Sequence, residues 1–207
     1  MNELQALINE TPGAALLLAV MLAASLNGLF RAPSMIERNL FRPYWLVPRR
    51  EYGTLLSSGF LHADLTHLLF NAITFWAFAF GLEREIGTAH FLGLYAFGLA
   101  ASDAGTWFKH RGDAEYRTLG ASGAILAVLF ASILYFPSGS IFILPIPVPI
   151  PAPLFAILYL AYSYWAAQRG RGRVNHDAHL FGALAGIAFV ALTDADALRR
   201  AFHTYFG

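Results

Sequence analysis

Cysteine is absent from the 207-residue chain, which excludes disulfides and thiolate metal sites. Charge is scarce: 13% of residues are Asp, Glu, Lys or Arg, against about 25% in a soluble globular domain. Most of the surface is therefore expected to face something other than water. The net charge of +1 gives no footing for nucleic acid. No Gly- or Ser-rich linker divides the chain, so one domain over residues 1–207 is expected. The first ten residues hold Glu3 and Glu10 but no Lys or Arg. Without the basic start of a secretory signal peptide, the first apolar run reads as a retained helix. No internal repeat is visible, which disfavours an inverted-repeat transporter.

What the chain has in excess is apolar sequence, at 57%. It falls into six segments, at about 14–30, 65–82, 89–108, 119–136, 152–168 and 179–193. About 20 residues span a hydrocarbon core, and several of these segments are short, the last most of all. The expectation is an all-α, multi-pass integral membrane protein of six transmembrane helices. Thr11-Pro12 offers the first helix a cap and a first-turn proline. Gly81 and Gly87 bracket what reads as a tight charged turn, Glu83-Arg84-Glu85. Alternating prolines from Pro145 to Pro153 predict an extended stretch before the fifth helix. The connection 31–64 mixes Arg31, Arg38, Arg42, Arg49 and Arg50 with Phe41, Tyr44 and Trp45. It reads as a segment in the headgroup layer, with a basic surface loop as the alternative.

Three motifs carry chemistry. Ser122 lies between Gly120 and Gly123 at the head of the fourth segment, where a helix start offers free N–H groups to a developing oxyanion. Taken alone, this Gly-x-Ser-Gly is more simply a small-residue packing face. His179 heads the sixth segment and shares a helical face with Gly182 and Gly186, a spacing that lets two helices pack closely. It reads as a base for Ser122 or as an interfacial helix cap, with His176 a weaker competing base. His67 and Asn71, four residues apart, share one face of the second segment. Inside a membrane they need partners, either across the bundle or at an oxyanion. Asp103 in the third segment reads as structural or interfacial, and Glu83 as a hydrogen-bonding group at a helix end.

Together, in this order on six hydrophobic segments, His-xxx-Asn, Gly-x-Ser-Gly and His-xx-Gly-xxx-Gly resemble the rhomboid intramembrane serine proteases. The likeness runs over about residues 50–195 and extends to Phe60-Leu-His62 and Gly81-Leu-Glu83. It implies a six-helix rhomboid-like bundle, a Ser122–His179 dyad without a third carboxylate, and an oxyanion site from the Ser122 backbone, His67 and Asn71. Gly120 and Gly123 support that site. The implied reaction is cleavage of other membrane proteins' transmembrane segments, with no metal or cofactor. The expected location is a bilayer, the inner membrane of a bacterium. Two positions depart from the pattern. Many relatives carry Trp-Arg in the first loop where Gly53-Thr54 stands here, with Arg49 and Arg50 close by. Some place a tyrosine one turn after the serine, over the catalytic histidine, where this chain has Leu126.

The resemblance puts both chain ends in the cytoplasm, and that orientation is the expectation. Loop charge points the other way: eleven of the 14 basic residues fall in the odd-numbered connections, which the positive-inside rule assigns to the cytoplasm. Two rivals remain open. One is a non-catalytic rhomboid-like protein that binds membrane helices. The other is a small channel or transporter using His67, Asn71, Asp103 and His179 as a polar path.

Overall fold

The computed structural model describes residues 3–143, 148–169 and 174–206. In chain order the helices are α1 (Glu3–Glu10), α2 (Pro12–Phe30), α3 (Pro33–Arg38), α4 (Thr54–Ser57), α5 (Leu65–Ile86), α6 (Thr88–His110), α7 (Ser122–Tyr135), α8 (Ala152–Arg169), α9 (His176–Thr193) and α10 (Ala195–Phe206). A two-stranded antiparallel hairpin, β1 (Ser140–Phe142) and β2 (Pro149–Pro151), precedes α8. The fold is that of a helical membrane protein, with α2, α5, α6, α7, α8 and α9 on the six expected segments. By length and composition α2, α5 and α9 suffice to cross a membrane, and α7 is a shorter apolar helix.

α7 is the axis of the bundle. Every residue from Gly123 to Ile133 is buried, and α5, α6, α8 and α9 pack around it. Fourteen residues rise only about 21 Å, less than the roughly 30 Å of a hydrocarbon core. Protein rather than lipid surrounds this helix, so it has no need of full length.

α7 and α9 meet backbone to backbone. A methyl on Gly182 would overlap the Gly123 carbonyl, and one on Gly186 would overlap that of Ala127. The expected Gly-xxx-Gly face is therefore a contact with α7.

Several boundaries differ from expectation. The turn read between Gly81 and Gly87 is helical: α5 continues to Ile86 and breaks at Gly87, whose φ is +77°. The reason is Glu83, which points inward and is 1% exposed. Its Oε1 accepts from Gly13 N at 2.9 Å and Thr88 Oγ1 at 2.7 Å, and its Oε2 from Ala14 N at 2.6 Å. The two amides are orphan donors of the first turn of α2, so Glu83 caps that helix, and the Thr88 hydroxyl ties it to the start of α6. Thr11, the expected cap, donates instead to the Leu7 carbonyl at the end of α1. The fourth segment becomes helical only at Ser122, and the sixth starts at His176. In the proline-rich stretch, residues 149–151 are extended as expected, residues 152 and 153 open α8, and residues 145–147 lie outside those described.

Candidate functional site

The heads of α5, α7 and α9 converge at one end of the bundle. Gly123 follows Ser122, and Gly182 lies one turn after His179. The overlap of these glycines therefore holds the first turn of α7 against the first turns of α9. On the other flank, the His67 ring packs on Gly120. A Cβ there would lie 2.7 Å from His67 Cε1, and Gly120 has φ +133°. Both facts require glycine. Asn71 sits one turn deeper on α5 and is buried.

Ser122 is half-buried, at the first position of α7 after Ala121, with no side chain capping the helix. The N–H groups of this first turn thus lack intrahelical acceptors and carry the positive end of the helix dipole. Asn71 adds a donor: its Nδ2 is fully buried and has no hydrogen-bond partner among the described residues. An unpaired buried amide donor costs about 1–3 kcal/mol.

His179 is held by a residue that sequence reasoning missed. The hydroxyl of Tyr159, on α8, lies 3.1 Å from His179 Nδ1, leaving Nε2 as the ring nitrogen for another partner. Tyr159 is one of nine tyrosines in an apolar run, and no local signal singles it out. Leu126 is buried in the core beside Ala183. Among the described residues the Ser122 hydroxyl forms no hydrogen bond, to His179 or otherwise. His176 stands with its ring 5.8 Å from that of His179.

A polar network fixes the start of α9. Asn175 caps it by accepting from Ala178 N at 3.0 Å and donating to Thr106 Oγ1 at 3.0 Å. Asp177 accepts from Lys109 Nζ at 2.7 Å and pairs with His110 Nε2 at 2.9 Å. His110 in turn stacks on Tyr116. His62, just ahead of α5, is fully buried with Nδ1 2.9 Å from Ser25 Oγ. Burial and the nearby His67 pull its pKa down to about 3, so it stays neutral and bonds α2 to the site loop. Asp103 is buried with Oδ2 unpartnered among the described residues. Among those residues no cluster of three or more His, Asp or Glu side chains is arranged to hold a metal ion.

A helical membrane bundle with serine, histidine and asparagine gathered at the heads of three helices defines the class. The chain belongs to the rhomboid family: the Rhomboid domain model matches residues 49–194. It is 39% identical over 82 residues to the "Putative rhomboid protease YdcA" of Bacillus subtilis, covering 40% of each chain. It is 29% identical over 167 residues to the "Presenilin-associated rhomboid-like protein, mitochondrial" of Homo sapiens, covering 78% of this chain and 44% of that one. With "Rhomboid protein 1, mitochondrial" of Saccharomyces cerevisiae the identity is 26% over 174 residues, covering 78% and 48%. The matches thus span less than half the length of these relatives. A bacterial protein stands beside mitochondrial ones, so the relatives do not support the bacterial inner membrane in particular. An integral membrane protein is what they and the apolar helices establish.

Proposed function

We propose that the chain is a single membrane domain acting as an intramembrane serine endopeptidase on transmembrane segments of other proteins. The observation that carries this reading is the Gly123–Gly182 contact, which brings the turns bearing Ser122 and His179 against each other, with the His67 ring packed on Gly120. In the proposed reaction Ser122 Oγ attacks the scissile carbonyl while His179 Nε2 takes its proton. The imidazolium then protonates the leaving amine, and water, deprotonated by the same nitrogen, hydrolyses the acyl-enzyme. The proposed role requires the tautomer in which Nδ1–H donates to the Tyr159 hydroxyl, which frees the Nε2 lone pair. The first-turn N–H groups of α7, with His67 and Asn71, receive the oxyanion. The missing Ser122–His179 hydrogen bond is compatible with this role, since such bonds are often long without substrate and tighten in the complex.

That same missing bond favours a second reading, a non-catalytic protein that binds membrane helices. Fluorophosphonate labelling of the detergent-purified protein separates the two. Labelling of the wild type that disappears in both Ser122→Ala and His179→Ala is the result expected for a protease. A folded wild type that does not label would leave the helix-binding reading.

A further inference from the structure

Three of the four tryptophans carry an arginine four residues later, and in each case the guanidinium lies over the indole. Arg49 sits 3.8 Å from the Trp45 ring centroid, Arg111 5.0 Å from that of Trp107, and Arg169 4.0 Å from that of Trp165. All three pairs occupy the end of the bundle that holds Ser122 and His179. They sit on segments tied to one another: Trp45 Nε1 donates to the Ala114 carbonyl at 3.2 Å, and Lys109 Nζ donates to the Ala167 carbonyl. The fourth tryptophan, Trp76, lies within α5 and stacks on Phe80 instead.

We propose that these Trp–Arg pairs form a belt at the Ser122 end of the bundle that docks on the phosphates of anionic phospholipids. A guanidinium stacked on an indole keeps its N–H edge free, and that edge matches a phosphate bidentately. Among the described residues Arg111 and Arg169 have no carboxylate partner, and Arg49 reaches Glu51 only at 3.9 Å. Beside Trp165 and Arg169 a cavity of about 250 Å³ is lined also by Tyr162 and Arg117, a second arginine facing the same recess. Its acidic wall, Asp177, is already paired with Lys109 and His110.

The aromatic flank selects lipid over an acidic protein. Phe108, Tyr162 and Trp165 are each more than half exposed, as suits rings resting at the edge of a hydrocarbon layer. Charge agrees: by sequence, eleven of 14 basic residues but only six of 13 acidic ones belong to connections at this end.

The test is native mass spectrometry of the full chain released from mixed micelles of phosphatidylglycerol and phosphatidylcholine, alongside Arg49→Gln/Arg111→Gln/Arg169→Gln and a control, Arg84→Gln/Arg199→Gln/Arg200→Gln. Wild type is expected to retain phosphatidylglycerol preferentially, by about fivefold per engaged arginine, with the preference shrinking as salt rises. The belt variant should lose it and the control should keep it. Equal retention of the two lipids by wild type overturns the proposal whatever the variants do. So does an equal loss in belt variant and control, which would mean net charge alone. Labelling of Ser122 plays no part in the readout, so this inference stands or falls apart from the proposed chemistry.

Discussion

Gly182 lies directly on the peptide of Gly123, leaving no volume for a side chain between α9 and α7. Both residues adjoin the candidate pair, so helix spacing and the Ser122–His179 relation are one quantity. Gly182→Ala must push the helices apart, at about 1–3 kcal/mol for overpacking. Thermal unfolding in detergent and fluorophosphonate labelling should fall together. Gly93→Ala is the comparison, since its Cβ would meet only Phe189 at an ordinary 3.7 Å; both readouts should stay near wild type.

Asn71→Ala separates stability from chemistry. Its Nδ2 has no partner among the described residues, so removing the amide should leave the unfolding temperature unchanged or slightly raised. If that donor serves the oxyanion, the labelling rate should drop by about 10²–10³. A drop in stability with labelling preserved would assign Asn71 to bundle packing.

Tyr159→Phe removes the hydroxyl from His179 Nδ1 and little else. One lost hydrogen bond of about 0.5–1.5 kcal/mol predicts a labelling rate roughly 2–12 times slower. The pH profile of labelling should move as well, because the partner of the base has changed. A merely structural tyrosine would leave that profile in place.

Glu83→Ala strips the acceptor from three donors at once. Two buried amides and a part-buried hydroxyl left unpaired cost about 2 kcal/mol or more, or roughly 4–8 °C in unfolding temperature for a chain of this size. Glu83→Gln keeps one acceptor oxygen and should fall between.

Asp194, between α9 and α10, supplies a pH dependence. The backbone N–H of Ala197 holds its pKa below the usual carboxylate value, helped by Tyr135 and Arg200 against a smaller desolvation effect. A lowered folded-state pKa gives stability that is fully present above the unfolded value of about 3.9 and is lost as pH falls through the folded one. Wild type should therefore lose stability relative to Asp194→Asn as the pH drops below about 4, and the gap should be constant near neutrality. Unfolding temperatures across that range provide the check.

The six helices were legible because burial in lipid and protein demands long apolar runs, and such runs survive as pattern. Ser122, His179, His67 and Asn71 stood out as candidates because polar groups are conspicuous on that background. What stayed hidden depends on distant partners. Nothing local tells Tyr159 from the other tyrosines, since its meaning comes from a ring 20 residues away on another helix. The turn read at Glu83-Arg84-Glu85 was wrong for the same reason: Glu83 alone of the three is drawn inward, by the amides of residues 13 and 14. His176 read as the weaker base because it lies just outside the apolar run, yet Asn175 starts the helix one turn earlier than that run does.

The Glu83 clasp also says where the cooperative unit ends. The family match begins at residue 49, but a carboxylate inside that region is satisfied mainly by amides that precede it by some 70 positions. Cut at residue 49, the matched portion would keep its serine and histidine but would lose the helix that covers Glu83 and the Ser25 partner of His62. Recognition by pattern and autonomy in folding thus have different borders here, and a minimal fragment must include α2.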